Sequence, residues 1–416
     1  MKQFEVEDLR DILVGSHFYA SGGGGALENG TKLLEVTLEA LQRLGKSTIA
    51  YLDVGDETLS AASFYAPFVG AVGSPDKYLE AGFIYSPEWA YDLHQQTMRM
   101  SPQLQSDHFS YQHQSERIDF QSVIPIETGT ITYGMAMLIA AQKNIPIMNM
   151  DGCGRAVPVL GMVGPAQPVS GAPRLAPVAL VSETPVSDGG AQLIINTADL
   201  DNLNDMMHGI ISEDKGFDAR SAMSCFALSG QNINAQQPGY FVPGSLERAR
   251  RLGAALRNPP RGRSKVDVVL EHTGGIEMVT GIVIDVHTEN QNGFDFLKVT
   301  MVDANNRTYV THAENETLLL SVVEPNGTER PLVMGPDLIC FLTSEGDTIS
   351  NAELSQQKKS HESAGKPLII HVFALPAANG MNSPHLQSLY LQELKKFGFE
   401  GHYISPFEET CIERAL

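Results

Sequence analysis

The sequence contains few cysteines, and none lies close enough to another to suggest a shared site. The four positions are Cys153, Cys225, Cys340 and Cys411, and no two of them form a C-x-x-C pair. Disulfide frameworks and zinc fingers both depend on patterned cysteines, so neither is expected here. We therefore expect free thiols in a reducing, cytoplasmic location.

Basic residues are also scarce: 29 Lys and Arg stand against 49 Asp and Glu, which gives a formal net charge of −20. Nucleic acids and anionic membranes bind basic faces, so we expect neither as a partner. No apolar run approaches the ~20 residues that span a bilayer. The first ten residues mix both signs of charge, which is not typical of a secretory signal.

Short apolar runs that end on polar residues dominate the first 160 residues or so. They end at Asp53, Ser74, Glu127 and Asp151, and helix-like segments lie between them. This alternation predicts an N-terminal α/β domain with a largely parallel or mixed sheet, residues 1–165. Because ligands bind at the carboxyl ends of such strands, we expect these four residues near one site.

The amino-acid composition changes after about residue 160. The Gly- and Pro-rich interval 161–176 predicts a crossing into a second α/β domain, residues 166–416. Within it, residues 216–229 favour a helix. From about 259 to 345, short Val- and Thr-rich segments separated by turn signals predict an inserted antiparallel β unit, which begins with a strand at 266–270.

The apolar run Ile145–Met150 is followed by polar residues that could take part in binding or catalysis. It stops at Asp151, and Gly152 and Arg155 follow closely. An acid and a guanidinium at the end of a buried strand could contact a ligand. The alternative is an Asp–Arg pair that only fixes the loop.

Four consecutive glycines, Gly22, Gly23, Gly24 and Gly25, precede a predicted helix at about 30–44. Positive φ angles would let successive N–H groups turn inward and form an anion-binding nest. A flexible hinge is the alternative. Neither G-x-G-x-x-G after a strand nor G-x-x-x-x-G-K-[ST] is present, so nucleotide binding has little support.

The sequence leaves the cofactor open, with a divalent metal as one alternative. Asp107, His108 and His113 lie in a Gln- and His-rich segment, but the histidines are not spaced to share a helix face. A solvated loop explains that segment better, and so does a contact between subunits. We expect the protein to form a homo-oligomer. A second candidate ligand set is His17 with the acids Asp53 and Asp151.

Several motifs in a fixed order carry a resemblance to a known family. The chain resembles the S-methyl-thiohydantoin desulfurase-like family, whose members resemble partners of hydantoinase/oxoprolinase proteins and are sometimes fused to them. The resemblance rests on SGGGG (21–25), GSP (73–75), IPIETG (124–129), IPIMNMDGCGRAVP (145–158), ENETL (314–318) and PDLICFL (336–342).

The chain departs from the family pattern at three positions. Val159 stands where the family favours an acid, and Thr128 stands where it usually has glycine. Cys153 stands where a methionine is expected, so a nucleophilic thiol is not implied. If the missing acid binds a metal or activates water in the family, that chemistry is altered here.

The resemblance implies an enzyme that acts on a small cyclic amide of the hydantoin or thiohydantoin kind, with water replacing sulfur. That reaction needs a base, an acid and a stabiliser for the developing anion. The candidates are Asp151 and Glu127 as base and acid. Arg155 and the amides of residues 22–25 would hold the anion. Asp53 and Ser74 would help to bind the substrate.

The resemblance leaves open whether the chain is an enzyme at all. The alternative is a non-catalytic subunit that docks on a hydantoinase/oxoprolinase-type protein and positions its substrate. A nucleotide-binding α/β protein is a third hypothesis.

Overall fold

The computed structural model describes residues 1–61, 63–73, 85–100, 118–167, 177–197, 199–212, 216–235, 238–291 and 294–407. The first third contains β1 (Lys2–Glu5), α1 (Val6–Tyr19), α2 (Leu27–Arg43), β2 (Thr48–Leu52), β3 (Tyr65–Gly73), α3 (Ser86–Met100), β4 (Ile124–Pro125), α4 (Thr130–Lys143), β5 (Ile147–Met148) and β6 (Met150–Asp151). The middle contains β7 (Val178–Val181), β8 (Gln192–Ile195), α5 (Leu200–Ser212), β9 (Arg220–Ser229), α6 (Gly230–Asn234), β10 (Val242–Pro243), α7 (Ser245–Arg257) and α8 (Lys265–Thr273). The last part contains β11 (Ile276–Gln291), β12 (Phe294–Val302), β13 (Thr308–Glu314), β14 (Glu316–Val323), β15 (Glu329–Met334), β16 (Leu338–Thr343), α9 (Asn351–Ser363), β17 (Ile369–Leu375) and α10 (Pro384–Leu394).

The N-terminal sheets are mixed. A three-stranded sheet runs β1-β2-β5, with β2 parallel to β5 and antiparallel to β1. A five-stranded sheet runs β4-β3-β9-β7-β8, in which β3 is parallel to β4 and antiparallel to β9. The predicted α/β class with a mixed sheet is therefore confirmed.

The interval predicted as an antiparallel β unit supplies six strands of a seven-stranded sheet in the order β15-β14-β13-β12-β11-β17-β16, and the seventh strand, β17, lies beyond that interval. The sheet curls, so that β16 contacts both β14 and β15. Its inner face encloses an apolar core that includes Val299, Met301, Leu320 and Val372. The tip of its β13–β14 hairpin, at Asn315, points back towards the N-terminal part of the chain and becomes one wall of the site described below.

Two segments differ from their predicted secondary structure. Residues 216–229 form mainly strand β9 rather than a helix, because β9 lies between β3 and β7 with almost every residue buried. A strand that is covered on both faces shows no alternation in its sequence. Residues 266–270 belong to helix α8 rather than to a strand. Ser264 caps that helix in a capping box with Asp267.

Helix α1 delivers the glycine segment to the site, and α7 holds α1 in place. The two helices approach so closely that a Cβ on Gly253 would lie 1.8 Å from the carbonyl oxygen of Asp11. A Cβ on Gly15 would lie 1.9 Å from the carbonyl oxygen of Ala249. Only glycine permits this separation of the helix axes, so the position of the segment after α1 depends on both residues.

No described helix has both the length and the apolar character that a membrane span requires. The proposed boundary at residues 165 and 166 remains a prediction. Strand β9, from beyond that boundary, pairs with β3 from before it.

Candidate functional site

One of the polar strand ends, Glu127, and the glycine segment meet at a small cavity, which we call the inner chamber. Its volume is about 90 Å³. The walls come from the glycine segment, the β4–α4 turn, the 157–163 segment and the tip of the β13–β14 hairpin. The residues that matter to its chemistry are Gly24, Gly25, Glu127, Thr132, Val157, Met223, Asn315 and Glu316.

The glycine segment is a fixed wall rather than a hinge. Gly22, Gly24 and Gly25 all have positive φ. The carbonyl of Gly24 accepts hydrogen bonds from the Ile131 N–H at 3.1 Å and the Thr130 hydroxyl at 3.2 Å. The amides of Gly24 and Gly25 donate to no residue in the described part of the chain, and both residues line the chamber.

Glu127 follows strand β4 and lines the chamber. Its Oε2 accepts the Val157 N–H at 2.9 Å, and its Oε1 accepts the Thr132 hydroxyl at 3.5 Å. Burial raises the pKa of Glu127 to about 7; the Asp151 charge adds to the rise, whereas the Val157 N–H and Arg155 oppose it. Glu127 is therefore able to exchange a proton near neutral pH.

Glu316 is the second carboxyl group of the chamber, and it was not among the predicted site residues. Its side chain is only 4% exposed, and its Oε2 has no hydrogen-bond partner within the described ranges. Burial, then the proximity of Glu127, raises its pKa well above the usual value, and Arg155 opposes the rise. Gly23 packs directly on it, since a Cβ there would lie 2.1 Å from Oε1.

Asp151 lies behind the chamber wall and is fully buried. One carboxylate oxygen accepts the hydroxyls of Thr128 at 2.5 Å and Tyr133 at 2.6 Å. The other accepts the N–H groups of Cys153 at 3.1 Å and Gly154 at 2.7 Å. These four bonds fix the loop after β6 against the start of α4. Asp151 is not among the residues that line the chamber.

Arg155 is also buried, at 2% exposure. Its guanidinium donates to four backbone carbonyls, those of Ala156, Thr317, Pro336 and Asp337, at 2.7 to 3.3 Å. It also lies 5.2 Å from the centroid of the Tyr390 ring. Arg155 thus joins the loop after β6 to the curled sheet. Its charge acts on the chamber from behind, without lining it.

The remaining predicted positions lie elsewhere. Asp53 forms an ion pair with Lys2 at 2.7 Å and accepts a hydrogen bond from the Asn149 side-chain amide at 2.6 Å. It does not line the chamber. Ser74 lies outside the described residues. His17 is buried, 2.7 Å from the Thr348 hydroxyl and 2.9 Å from Glu353.

The alternative metal sets are not assembled in the part of the chain that the structure describes. That part contains no group of three or more His, Cys, Asp or Glu side chains arranged to hold a metal ion. The three candidates in the Gln- and His-rich segment, Asp107, His108 and His113, lie outside the described residues.

A larger cavity, which we call the outer cavity, adjoins the inner chamber. Its volume is about 960 Å³, and it shares the lining residues Asn204 and His208 with the chamber. Burial lowers the pKa of His208 to about 4, and Lys396 adds to that effect, so this imidazole is neutral at pH 7. The two cavities thus meet at Asn204 and His208.

The fold and the site define an α/β protein with a two-carboxyl chamber that shares wall residues with a larger cavity. Residues 7–187 match the family described as S-Me-THD-like, N-terminal domain, and residues 200–405 match S-Me-THD-like, C-terminal domain. The chain belongs to the S-Me-THD-like family, and membership suggests a function related to hydantoins.

One solved structure shows the same fold over nearly the whole chain. It is the crystal structure of a protein from Chromobacterium violaceum, with a TM-score of 0.71 and 21% sequence identity. The match covers 98% of this chain and 100% of that protein. At this identity the similarity concerns the fold alone. No curated protein matches the sequence.

Proposed function

We propose that the protein hydrolyses the thiocarbonyl or carbonyl of a hydantoin-type ring in the inner chamber, with Glu127 and Glu316 as its acid–base pair. The observation that carries this proposal is the pair of carboxyl groups itself. Both line one small chamber, and burial raises the pKa of both. A pair of acids with different raised pKa values supplies a base and an acid at the same pH.

The two carboxyl groups take different roles. With a pKa of about 7, Glu127 is partly ionised at neutral pH, and its Oε2 is oriented by the Val157 N–H. It would remove a proton from the attacking water. Glu316, whose pKa is well above the usual value, would hold a proton and donate it to the departing sulfur. Water and thiocarbonyl would thus become carbonyl and hydrogen sulfide, with no other reactant.

The developing anion needs donors that have no other partner. The Gly24 and Gly25 amides line the chamber and donate to no described residue, which suits this role. The guanidinium of Arg155, assigned to the anion by the sequence, is bound to backbone carbonyls instead. It would act on the anion only through its field.

Turnover of a simple 2-thiohydantoin by the isolated protein tests the proposal, measured as loss of the thiocarbonyl absorbance and release of sulfide. Removing a general acid or base costs roughly 10²–10⁴-fold in rate. We expect such losses for Glu127→Gln and Glu316→Gln. The control is Glu57→Gln, the same chemical change at an exposed position.

The outcomes separate the enzyme from the alternative. Full turnover by both chamber variants would refute the acid–base assignment. Binding of thiohydantoin by the wild-type protein without turnover would favour the non-catalytic subunit that positions substrate for a hydantoinase/oxoprolinase-type partner. In that case the two variants should weaken binding rather than turnover.

A further inference from the structure

A second group of charged side chains lies in the outer cavity, outside the acid–base pair. It consists of Glu314 from β13, Glu393 from α10, and Lys396, which follows α10. The Lys396 Nζ is 2.7 Å from Glu314 Oε1 and also contacts Glu393. The same ammonium lies 5.6 Å from the centroid of the Phe294 ring.

In this cluster two carboxyl groups share one ammonium group. Glu314 is fully buried, and its Oε2 accepts no hydrogen bond from any described residue. Burial and the neighbouring Glu393 raise the pKa of Glu314 to about 8, while Lys396 opposes the rise. The unpartnered oxygen lies in a residue that lines a large cavity, and a buried acceptor without a donor is costly.

Other basic side chains of the cavity already contact carboxylates. Lys298 is 2.9 Å from Glu329, and His312 is 2.6 Å from the same carboxylate. An anionic ligand would therefore find no free positive group, whereas a cation could displace the proton that Glu314 holds near neutral pH and pair with the carboxylate that remains. Aromatic rings in the lining, those of Phe294, Phe296 and Phe397, would add cation–π attraction.

We propose that the outer cavity is a subsite for a cationic substituent, an alkylammonium or guanidinium group, on the molecule whose ring enters the inner chamber. The identity of the ring rests on the proposed function; the charge of the substituent rests on the cluster alone. The chamber volume is only about 90 Å³, which leaves little space for a long substituent beside the ring. A substituted ring must therefore extend past His208, towards Glu314 and Glu393.

Three ring ligands of similar length test the charge preference by calorimetry: 5-(4-aminobutyl)hydantoin, 5-butylhydantoin and 5-(3-carboxypropyl)hydantoin. Hydrogen bonds to charged groups correspond to roughly tenfold or more in affinity. We expect the amino compound to bind at least tenfold more tightly than the butyl compound. Glu393→Gln should remove most of that preference, and Glu57→Gln should keep it. Tighter binding of the carboxylate compound than of the butyl compound would overturn the proposal.

Butylammonium alone is the second probe, because its binding requires no hydantoin ring. If it binds and Glu393→Gln weakens it while no hydantoin binds, the cationic subsite stands and the proposed function fails. If hydantoins are turned over but the amino group brings no preference, the subsite fails and the proposed function stands. Should Glu393→Gln not fold, Glu314→Gln removes the other carboxyl group of the cluster and serves in its place.

Discussion

Replacing Glu127 by glutamine should stabilise the folded protein at pH 8 and much less at pH 5. In the folded state burial holds the pKa of Glu127 at about 7, against an ordinary value of 4.5. Between these two values the folded protein binds more protons than the unfolded chain does. Its stability therefore falls as the pH rises through that range, and the cost is complete above pH 7.

The magnitude follows from the same two values. Ionising Glu127 in the folded protein costs about 3 kcal/mol, at about 1.36 kcal/mol for each pH unit between the two pKa values. Glutamine has no such cost, and its side-chain oxygen can still accept the Val157 N–H. We expect the variant to gain about 3 kcal/mol at pH 8 and about 1 kcal/mol or less at pH 5.

Urea unfolding at the two pH values, followed by circular dichroism, measures the difference. The exposed variant Glu57→Gln should show no pH-dependent gain and controls for the loss of one charge. An equal gain for Glu127→Gln at both pH values, or a loss at pH 8, would refute the argument that burial holds this carboxyl at a raised pKa. This measurement needs no substrate, so it stands apart from the proposed reaction.

Three further substitutions test the support of the site. Gly253→Ala should lower the free energy of unfolding by roughly 1–3 kcal/mol, because the new Cβ would lie 1.8 Å from a carbonyl oxygen of α1. The control is Gly209→Ala, also in a helix. Its Cβ meets nothing within 4 Å, so stability should not fall. Gly23→Ala should displace the Glu316 carboxyl, since the new Cβ would lie 2.1 Å from its Oε1. We expect turnover of thiohydantoin to fall by roughly 10²-fold, with binding less affected. Unchanged turnover would contradict this. Asp151→Asn should lower the free energy of unfolding, measured with urea, by roughly 1–3 kcal/mol, because an amide cannot accept all four hydrogen bonds. Its turnover per folded molecule should fall less than that of Glu127→Gln.

Local sequence patterns were sufficient for the first strands and for the glycine segment. Short apolar runs before Glu127 and Asp151 predicted strand ends, and the structure has β4 and β6 there. The run at residues 22–25 predicted positive φ angles, which three of its four glycines adopt. These features depend on a few neighbouring residues, so one segment of sequence contains the whole signal.

The roles within the site required information from distant segments. Asp151 and Arg155 were expected to contact the ligand, but whether a charged group faces a cavity or a wall depends on the groups opposite it. For Arg155 those are carbonyls more than 160 residues further along the chain. Glu316 was named only within a family motif, because no local pattern shows that a hairpin tip reaches the glycine segment. Apart from that motif, the local sequence offers only the Glu-Asn-Glu pattern of residues 314–316, in which two acids flank Asn315.

The buried Arg155 explains why the chamber can hold two acids at all. Among the described residues no carboxylate forms an ion pair with it, and carbonyls satisfy its donors, so its charge is not cancelled by a direct partner. Burial raises the pKa of Glu127 and of Glu316, and Arg155 counteracts the rise in both. One positive charge behind the wall favours one ionised carboxylate in the chamber, whereas a second ionised group would be repelled by the first. The arrangement thus favours a state with one base and one acid, which is the state that the proposed reaction needs at its start.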